Sequence, residues 1–268
     1  MITDPTKGIA VIISPKRAKR PHSAKKKGCP FCRGNEWMTP PTSYALPDKK
    51  KWRVRSFRNA FPITKNHEVI IETPNHDELF QDLEEEQLRL VWQAYQNRFR
   101  AFSERGVPFL IRNRGLKAGA TIAHEHAQLL AFDFVPEMFK AESKASRGKC
   151  EFCRLLKGKG IAENAFFKAV VPEYARFGKE SWIVCKSHNA RFEKLSEDEG
   201  VAFLRVIQEC VRMLGGEDYN VAFHTWNCHL HAEIYPRTAV YGGVEFGAGV
   251  VVNSFGKKQT EKLLKANR

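Results

Sequence analysis

The sequence predicts an α+β fold in which one unit is used twice. Three observations carry this reading. Two CxxC pairs, Cys29/Cys32 and Cys150/Cys153, stand far apart in the 268 residues. Each is followed by the same order of elements: a strand, a histidine-bearing turn, an amphipathic helix and two further strands. His124-x-His126-x-Gln128, late in the first series, is answered by His229-x-His231-x-Glu233 in the second. Self-similarity of this kind marks an internal duplication.

The elements follow from their patterns. In "HEVIIETPNHDELFQDLEEEQLRLVWQAYQNRFRAF" a β-rich run gives a strand and His76 sits in the turn after it. Leu88, Val91, Trp92, Tyr95, Phe99 and Phe102 then recur at helical spacing, with Asp82 and three glutamates favouring the positive end of that helix. "PFLIRN" and "AQLLAF" complete the series as strands. The second series runs through "SWIVCKSHNARFEKLSEDEGVAFLRVIQECVRML", with His188 in the turn. Ser196 followed three residues later by Glu199 is a capping box that opens the second helix. "YNVAFH" and "HLHAEIY" are its closing strands. The halves divide as 1–140 and 141–268.

Composition bounds the class. Hydrophobic residues make up 43% of the chain and no apolar run reaches the length of about 18 residues that spans a membrane. The N-terminus lacks the basic leader and apolar core of a signal peptide, so a cytoplasmic location is expected. Seven cysteines, an odd number, argue against a disulfide framework. The net charge of +14 includes seven Lys and Arg between Lys16 and Lys27. That run reads either as a solvated basic face or as a surface for an anionic partner, nucleotide phosphate or nucleic acid.

Each half supplies two cysteines and two placed histidines, the four N/S ligands of a closed tetrahedral zinc site. The first set is Cys29, Cys32, His76 and His124; the second is Cys150, Cys153, His188 and His229, with His224 an alternative ligand. If 124–128 is strand, His124 holds the metal while His126 and Gln128 project from the same face. One histidine is then structural and its neighbour free to react. The approach "NRGLKAGATIAHEH" suits a phosphate: Gly115, Gly119 and Ala120 let backbone come close, and Asn113 and Thr121 can donate. The second approach, "FHTWNCHLH", is bulky, and Glu233 sets a carboxylate where Gln128 has an amide. Phosphoryl chemistry is therefore expected of the first half alone.

These residues resemble the galactose-1-phosphate uridylyltransferase family, a branch of the histidine-triad superfamily. "SPKRAKRP", "CPFCRGNEWMTPP", "WRVRSFRNAFPI", "HEVIIETPNHD", "NRGLKAGATIAHEHAQ" and "HLHAEIYPR" follow the family's order from about Ser14 to Arg237. The resemblance implies a duplicated histidine-triad-like unit with one antiparallel sheet built from both halves and helices packed on it. It implies that His126 attacks the α-phosphorus of a nucleoside diphosphate sugar and becomes a covalent nucleotidyl-histidine, with Gln128 donating to the phosphoryl oxygens. Asn59, Asn113, Gly119 and Thr121 match positions near the nucleotide, Arg17 and Arg20 the N-terminal arginines, and Glu245 a glutamate for sugar hydroxyls.

The departures are Glu125, where members usually carry proline or a small residue, and Ala239 in place of the lysine of galactose-specific enzymes. Glu125 should point away from the phosphate, so this departure is expected to be tolerated. UDP-hexose and hexose 1-phosphate are the expected pair, with adenine left open as the base. A phosphorylase acting on a nucleoside diphosphate sugar or dinucleoside polyphosphate is the alternative. A zinc-stabilised nucleic-acid-binding protein is the second, disfavoured because no recognition helix or aromatic-interleaved basic strand accompanies the basic run. One to two zinc ions per chain are expected, and a homodimer is allowed for.

Overall fold

The computed structural model describes residues 1–19 and 28–267. A small hairpin, β1 (Ile2–Thr3) and β2 (Ala10–Val11), precedes the body of the chain. The first half then contributes β3 (Thr42–Leu46), β4 (Val54–Arg58), β5 (Asn66–Ile71), α1 (Glu85–Ser103), β6 (Val107–Arg114) and β7 (His126–Phe132). Two helices, α2 (Glu137–Ala145) and α3 (Glu151–Leu156), lead into the second half. It consists of β8 (Ala162–Glu163), β9 (Phe167–Val170), β10 (Ser181–Cys185), α4 (Glu197–Arg212), β11 (Tyr219–His224) and β12 (His231–Pro236). Helices α5 (Gly243–Ala248) and α6 (Lys257–Ala266) close the chain. No helix among the described residues is long and apolar enough to cross a membrane.

The strands β3 to β12 form one ten-stranded antiparallel sheet in the order β3-β4-β5-β7-β6-β11-β12-β10-β9-β8. Its middle is the pairing of β6 with β11, from Tyr219 opposite Arg114 to Phe223 opposite Leu110. Outward from that seam the two sides repeat, β6-β7-β5-β4-β3 against β11-β12-β10-β9-β8. The duplicated α+β unit and the shared sheet are therefore both present.

Alternation along the strands sets the two faces. Leu110, Leu129, Val221, Phe223, Ala232 and Ile234 point to one side, where α1 and α4 lie. The residues expected at helical spacing in α1 are all buried there. Helix α4 begins with the expected capping box, in which Ser196 accepts from the Glu199 amide and Glu199 returns a bond to the Ser196 amide. A buried phenylalanine, Phe80 in one half and Phe192 in the other, seats the turn before each helix. The opposite face carries two smaller apolar clusters. One surrounds Cys29 with Phe31, Trp52 and Phe57, the other Cys150 with Phe152 and Val184.

One expectation is corrected. His124 and His229 are not strand residues: β7 begins at His126 and β12 at His231. Strand pairing ends there because β5 stops at Ile71, opposite His126, and the chain turns away at Glu72 and Thr73. That turn brings the Thr73 carbonyl to the His124 ring.

The two long helices meet where Gly200 of α4 faces Trp92 of α1. A Cβ built at Gly200 would overlap the Trp92 indole, which is fully buried and backed by Phe192 with ring centroids 4.8 Å apart. Overpacking of this kind costs about 1–3 kcal/mol, against about 1 kcal/mol returned by the better helix preference of alanine. Gly200→Ala should therefore show a net loss of stability in denaturant unfolding; an unchanged midpoint would mean that Trp92 can move aside.

Candidate active site and metal centres

Each CxxC turn faces the two histidines expected to join it. In the first half, Cys32 Sγ lies 3.4 Å from His76 Nδ1 and 3.6 Å from His124 Nδ1, and Cys29 Sγ lies 3.9 Å from His124 Nδ1. In the second, Cys150 Sγ is 3.4 Å from His229 Nδ1, and Cys153 Sγ is 3.3 Å from His188 Nδ1 and 3.7 Å from His229 Nδ1. Within each group of four, all donor atoms fall within 4.8 Å of one another. A tetrahedral ion with metal–sulfur bonds of about 2.3 Å and metal–nitrogen bonds of about 2.0–2.1 Å separates its ligands by roughly 3.3–3.8 Å, so both groups have the spacing to hold a metal.

The ring orientations fit as well. His124 Nε2 donates to the Thr73 carbonyl at 2.7 Å, and His229 Nε2 to that of Cys185 at 2.6 Å. A proton used on Nε2 leaves the Nδ1 lone pair for the metal, the usual outer-shell arrangement for a ligating histidine.

His126 opens β7 beside this centre. Its Nδ1–H donates to the His124 carbonyl at 2.8 Å, which leaves Nε2 as the ring's acceptor. Burial pushes the His126 pKa down to about 4, so the imidazole is neutral near pH 7. Phe31, from the first CxxC turn, packs edge-on to the ring with centroids 5.0 Å apart. Before His126 lies a cavity of ≈ 440 Å³ whose wall includes Phe31, Phe57, Asn59, Thr121, His126 and Gln128.

The remaining predicted site residues divide. Arg17 donates to the carbonyl of Phe61, itself on the cavity wall, at 3.1 Å. Gly119 has φ +80°, a conformation few other residues adopt, and bonds back to Leu116 ahead of Thr121. Asn113 stands off the cavity, with its side-chain oxygen accepting from Asn220 at 2.8 Å. Glu245 is not part of the cavity wall: it is half-buried on α5 and accepts from the Gly242 amide at 2.8 Å. Arg20 and most of the Lys16–Lys27 run lie outside the described residues.

The second copy is filled differently. His231 Nδ1 donates to the His229 carbonyl at 2.8 Å, repeating the first half. Its ring, however, is fully buried, with Phe152 4.2 Å away and the His224 ring stacked at 4.7 Å. Arg176 donates to Glu233 at 2.7 Å. Burial disfavours charge on Glu233, yet His224, His231 and Arg176 hold its pKa down to about 2. His224 does not belong with the second cysteine pair. It bonds Glu142 at 2.8 Å, and Glu142, His224, His231 and Glu233 form a third group whose donor atoms lie within 4.8 Å of one another. Glu142 was missed in the sequence, where one glutamate on a polar helix carries no signal.

No family model matches the chain. It is 27% identical to ADP-glucose phosphorylase of Arabidopsis thaliana, the likeness covering 98% of this chain and 91% of the relative. It is 28% identical to galactose-1-phosphate uridylyltransferase of Thermotoga maritima, over 74% of this chain and 70% of the relative. The crystal structure of the Arabidopsis phosphorylase with bound ADP-glucose superposes with a TM-score of 0.83 at 25% identity, over 94% of this chain and 93% of that one. Over most of its length the chain is thus similar to galactose-1-phosphate uridylyltransferase-like enzymes. A uridylyltransferase structure agrees to the same TM-score, 0.83, over 99% of this chain and 97% of the other.

Within this family pattern Glu125 is the departure expected to be tolerated, and its surroundings show how the fold accommodates a carboxylate there. It does point away from the cavity, but into the protein. Arg112, 1% exposed, donates to both oxygens of Glu72 at 2.8 and 2.6 Å and to Glu125 at 2.7 Å. Arg114 approaches the other Glu125 oxygen at 3.2 Å, and the Tyr95 hydroxyl donates to Glu72. Sequence spacing could not reveal this network, since it joins β5's end, α1, β6 and the histidine segment. Removing one partner from a buried ion pair typically costs about 3–5 kcal/mol. Glu125→Gln should lose about 3 kcal/mol, the low end of that range because Glu72 stays. Chemical unfolding monitored by fluorescence measures this, and wild-type stability would show the carboxylate to be dispensable.

Proposed function

We propose that this enzyme moves a nucleoside monophosphate from a nucleoside diphosphate sugar through a covalent intermediate on His126. The observation that carries the reading is the pinned ring: Nδ1–H is committed to the His124 carbonyl while Nε2 faces the cavity shared with Gln128. In the first step the Nε2 lone pair forms an N–P bond and the P–O bond to the leaving group breaks. Hexose 1-phosphate departs with that electron pair. The ring gains positive charge, which the His124 carbonyl stabilises from the other side. A phosphate oxygen of the acceptor then attacks phosphorus and returns the pair to Nε2. Gln128 and Asn59 supply uncharged donors for the phosphoryl oxygens, and the apolar wall of Phe31, Phe57 and Phe61 suits a nucleoside. Arg17 stands at the rim for the diphosphate.

The second reading concerns the acceptor. Inorganic phosphate, as in a nucleoside diphosphate sugar phosphorylase, is supported by the near-complete coverage of the ADP-glucose phosphorylase relative and by Ala239, which offers no cation for a sugar phosphate. ADP-glucose stands beside UDP-glucose as donor on the same ground. The N-terminal half does this chemistry. His231, walled by Phe152 and His224, and Glu233, paired with Arg176, leave the C-terminal half as scaffold.

Zinc is the ion assigned to both cysteine–histidine groups, because thiolate and imidazole in a tetrahedron match its preferences. When bound in the first half it would hold His124, and with it the carbonyl that orients His126. Metal analysis should give two equivalents per chain, and Cys29→Ser should lose one of them together with stability. A well-folded, metal-free protein would contradict the assignment.

Without acceptor, ADP-glucose or UDP-glucose labelled in the α-phosphate should transfer one labelled group to the protein, on nitrogen, stable to base and labile to acid. His126→Gly should abolish labelling while leaving nucleotide binding largely intact. Gln128→Glu should slow labelling on the order of 100- to 1000-fold, since a carboxylate repels the phosphoryl oxygens where an amide donates. Chasing the labelled protein with phosphate or hexose 1-phosphate identifies the acceptor. Absence of label from both sugars would defeat the mechanism.

A further inference from the structure

The cavity wall shows what holds Gln128 in place. The backbone N–H of Ile63 donates to His67 Nδ1 at 3.0 Å. A backbone amide can only donate, so Nδ1 carries no proton and the neutral ring's proton is on Nε2. That Nε2 lies 3.2 Å from Gln128 Oε1. Asn59 Nδ2 lies 3.3 Å from the same atom, but Asn59 Oδ1 accepts from the Phe61 amide at 2.8 Å, so Asn59 presents only donors there. The Nε2 proton therefore goes to the Gln128 oxygen, and the Gln128 NH₂ is turned away from His67. His67 is 1% exposed and forms no part of the cavity wall, whereas Gln128 does.

We propose that His67 is a positioning residue that fixes the Gln128 carboxamide with its NH₂ toward the phosphoryl group under attack. The proposal rests on the nucleotidyl-histidine reading above. A terminal carboxamide torsion is broad and roughly two-fold, so an unheld Gln128 would present its oxygen to the phosphoryl oxygens about as readily as its donors. His67 removes that choice.

The duplication supplies an internal comparison. Val69 pairs with Gln128 as Trp182 pairs with Glu233, and two residues earlier stand His67, within β5, and Glu180, just before β10. In the second half the carboxylate at the glutamine's place is met by Arg176, which bridges Glu233 at 2.7 Å and Glu180 at 3.6 Å. A neutral donor serves the amide, and a cation serves the acid.

The test uses full-length protein and α-labelled ADP-glucose or UDP-glucose, whichever labels the wild type faster. His67→Leu should slow single-turnover labelling of His126 roughly 10- to 100-fold, with nucleotide-sugar affinity, metal content and Tm close to wild type. His67→Gln, whose carboxamide N–H can reach the place of Nε2–H, should recover most of the rate. Adding Gln128→Ala to His67→Leu should cost much less than it does alone, because the two act as a unit. Labelling by His67→Leu within about twofold of wild type, or losses that multiply in the double variant, would overturn the proposal. The tautomer is an independent arm: long-range ¹H–¹⁵N correlation on the unliganded wild type should place the His67 proton on Nε2, and a proton on Nδ1 overturns the proposal whatever the variants do. A wild type that takes no label while showing Nε2–H overturns instead the nucleotidyl-histidine reading, and with it the task assigned to the Gln128 amide.

Discussion

One hydrogen bond organises the candidate site: His126 Nδ1–H to the carbonyl of His124, 2.8 Å away. It sets the tautomer of His126 and points Nε2 at the cavity. The carbonyl is fixed because the His124 ring is fixed, between the Thr73 carbonyl on Nε2 and the sulfur atoms of Cys29 and Cys32 around Nδ1. A metal in the cysteine–histidine group would therefore act on the His126 ring at one remove, through backbone geometry. Beneath it, the Glu72–Arg112–Glu125 network anchors the same segment from the interior side. A residue held from both faces loses little conformational freedom when substrate arrives, which is the condition for preorganised catalysis.

The second half shows that this scaffold does not by itself open a histidine to a cavity. His231 has the same bond to the carbonyl two residues back, and the same metal-capable group beside it. What differs is what stands before Nε2. Gln128 becomes Glu233, Asn59 and the open turn at Gly119 have no counterpart, and Phe152, His224 and Arg176 close in. Duplication supplied two equal frames; substitution of a few side chains left one facing a cavity and packed the other into the body of the sheet. The seam between β6 and β11 joins the frames into one sheet and buries what would otherwise be two exposed sheet edges.

Much of this was legible in the residues. The CxxC pairs, the histidine turns and the repeated HxH announced the duplication, both metal-capable groups and His126, because ligand chemistry demands particular side chains at short, countable spacings. Helices α1 and α4 announced themselves because burial on one face imposes a 3.6-residue period. The capping box at Ser196 is likewise a local pattern with a local cause.

What only the tertiary structure decided lies in contacts between segments remote in sequence. Strand β7 begins at His126 rather than His124 because its neighbour β5 ends opposite it, and no property of 118–132 alone encodes where a partner stops. Glu125 read as a tolerated departure; that it is half of a buried ion pair was hidden, since its partner Arg112 is on another strand. His224 left the second cysteine group for Glu142, Glu245 stayed off the cavity wall, and His67 emerged as the partner of Gln128 across 61 residues. Sequence determines chemistry wherever spacing is short enough for the chain itself to hold the geometry; where the geometry is held by the meeting of distant strands, only the folded sheet specifies it.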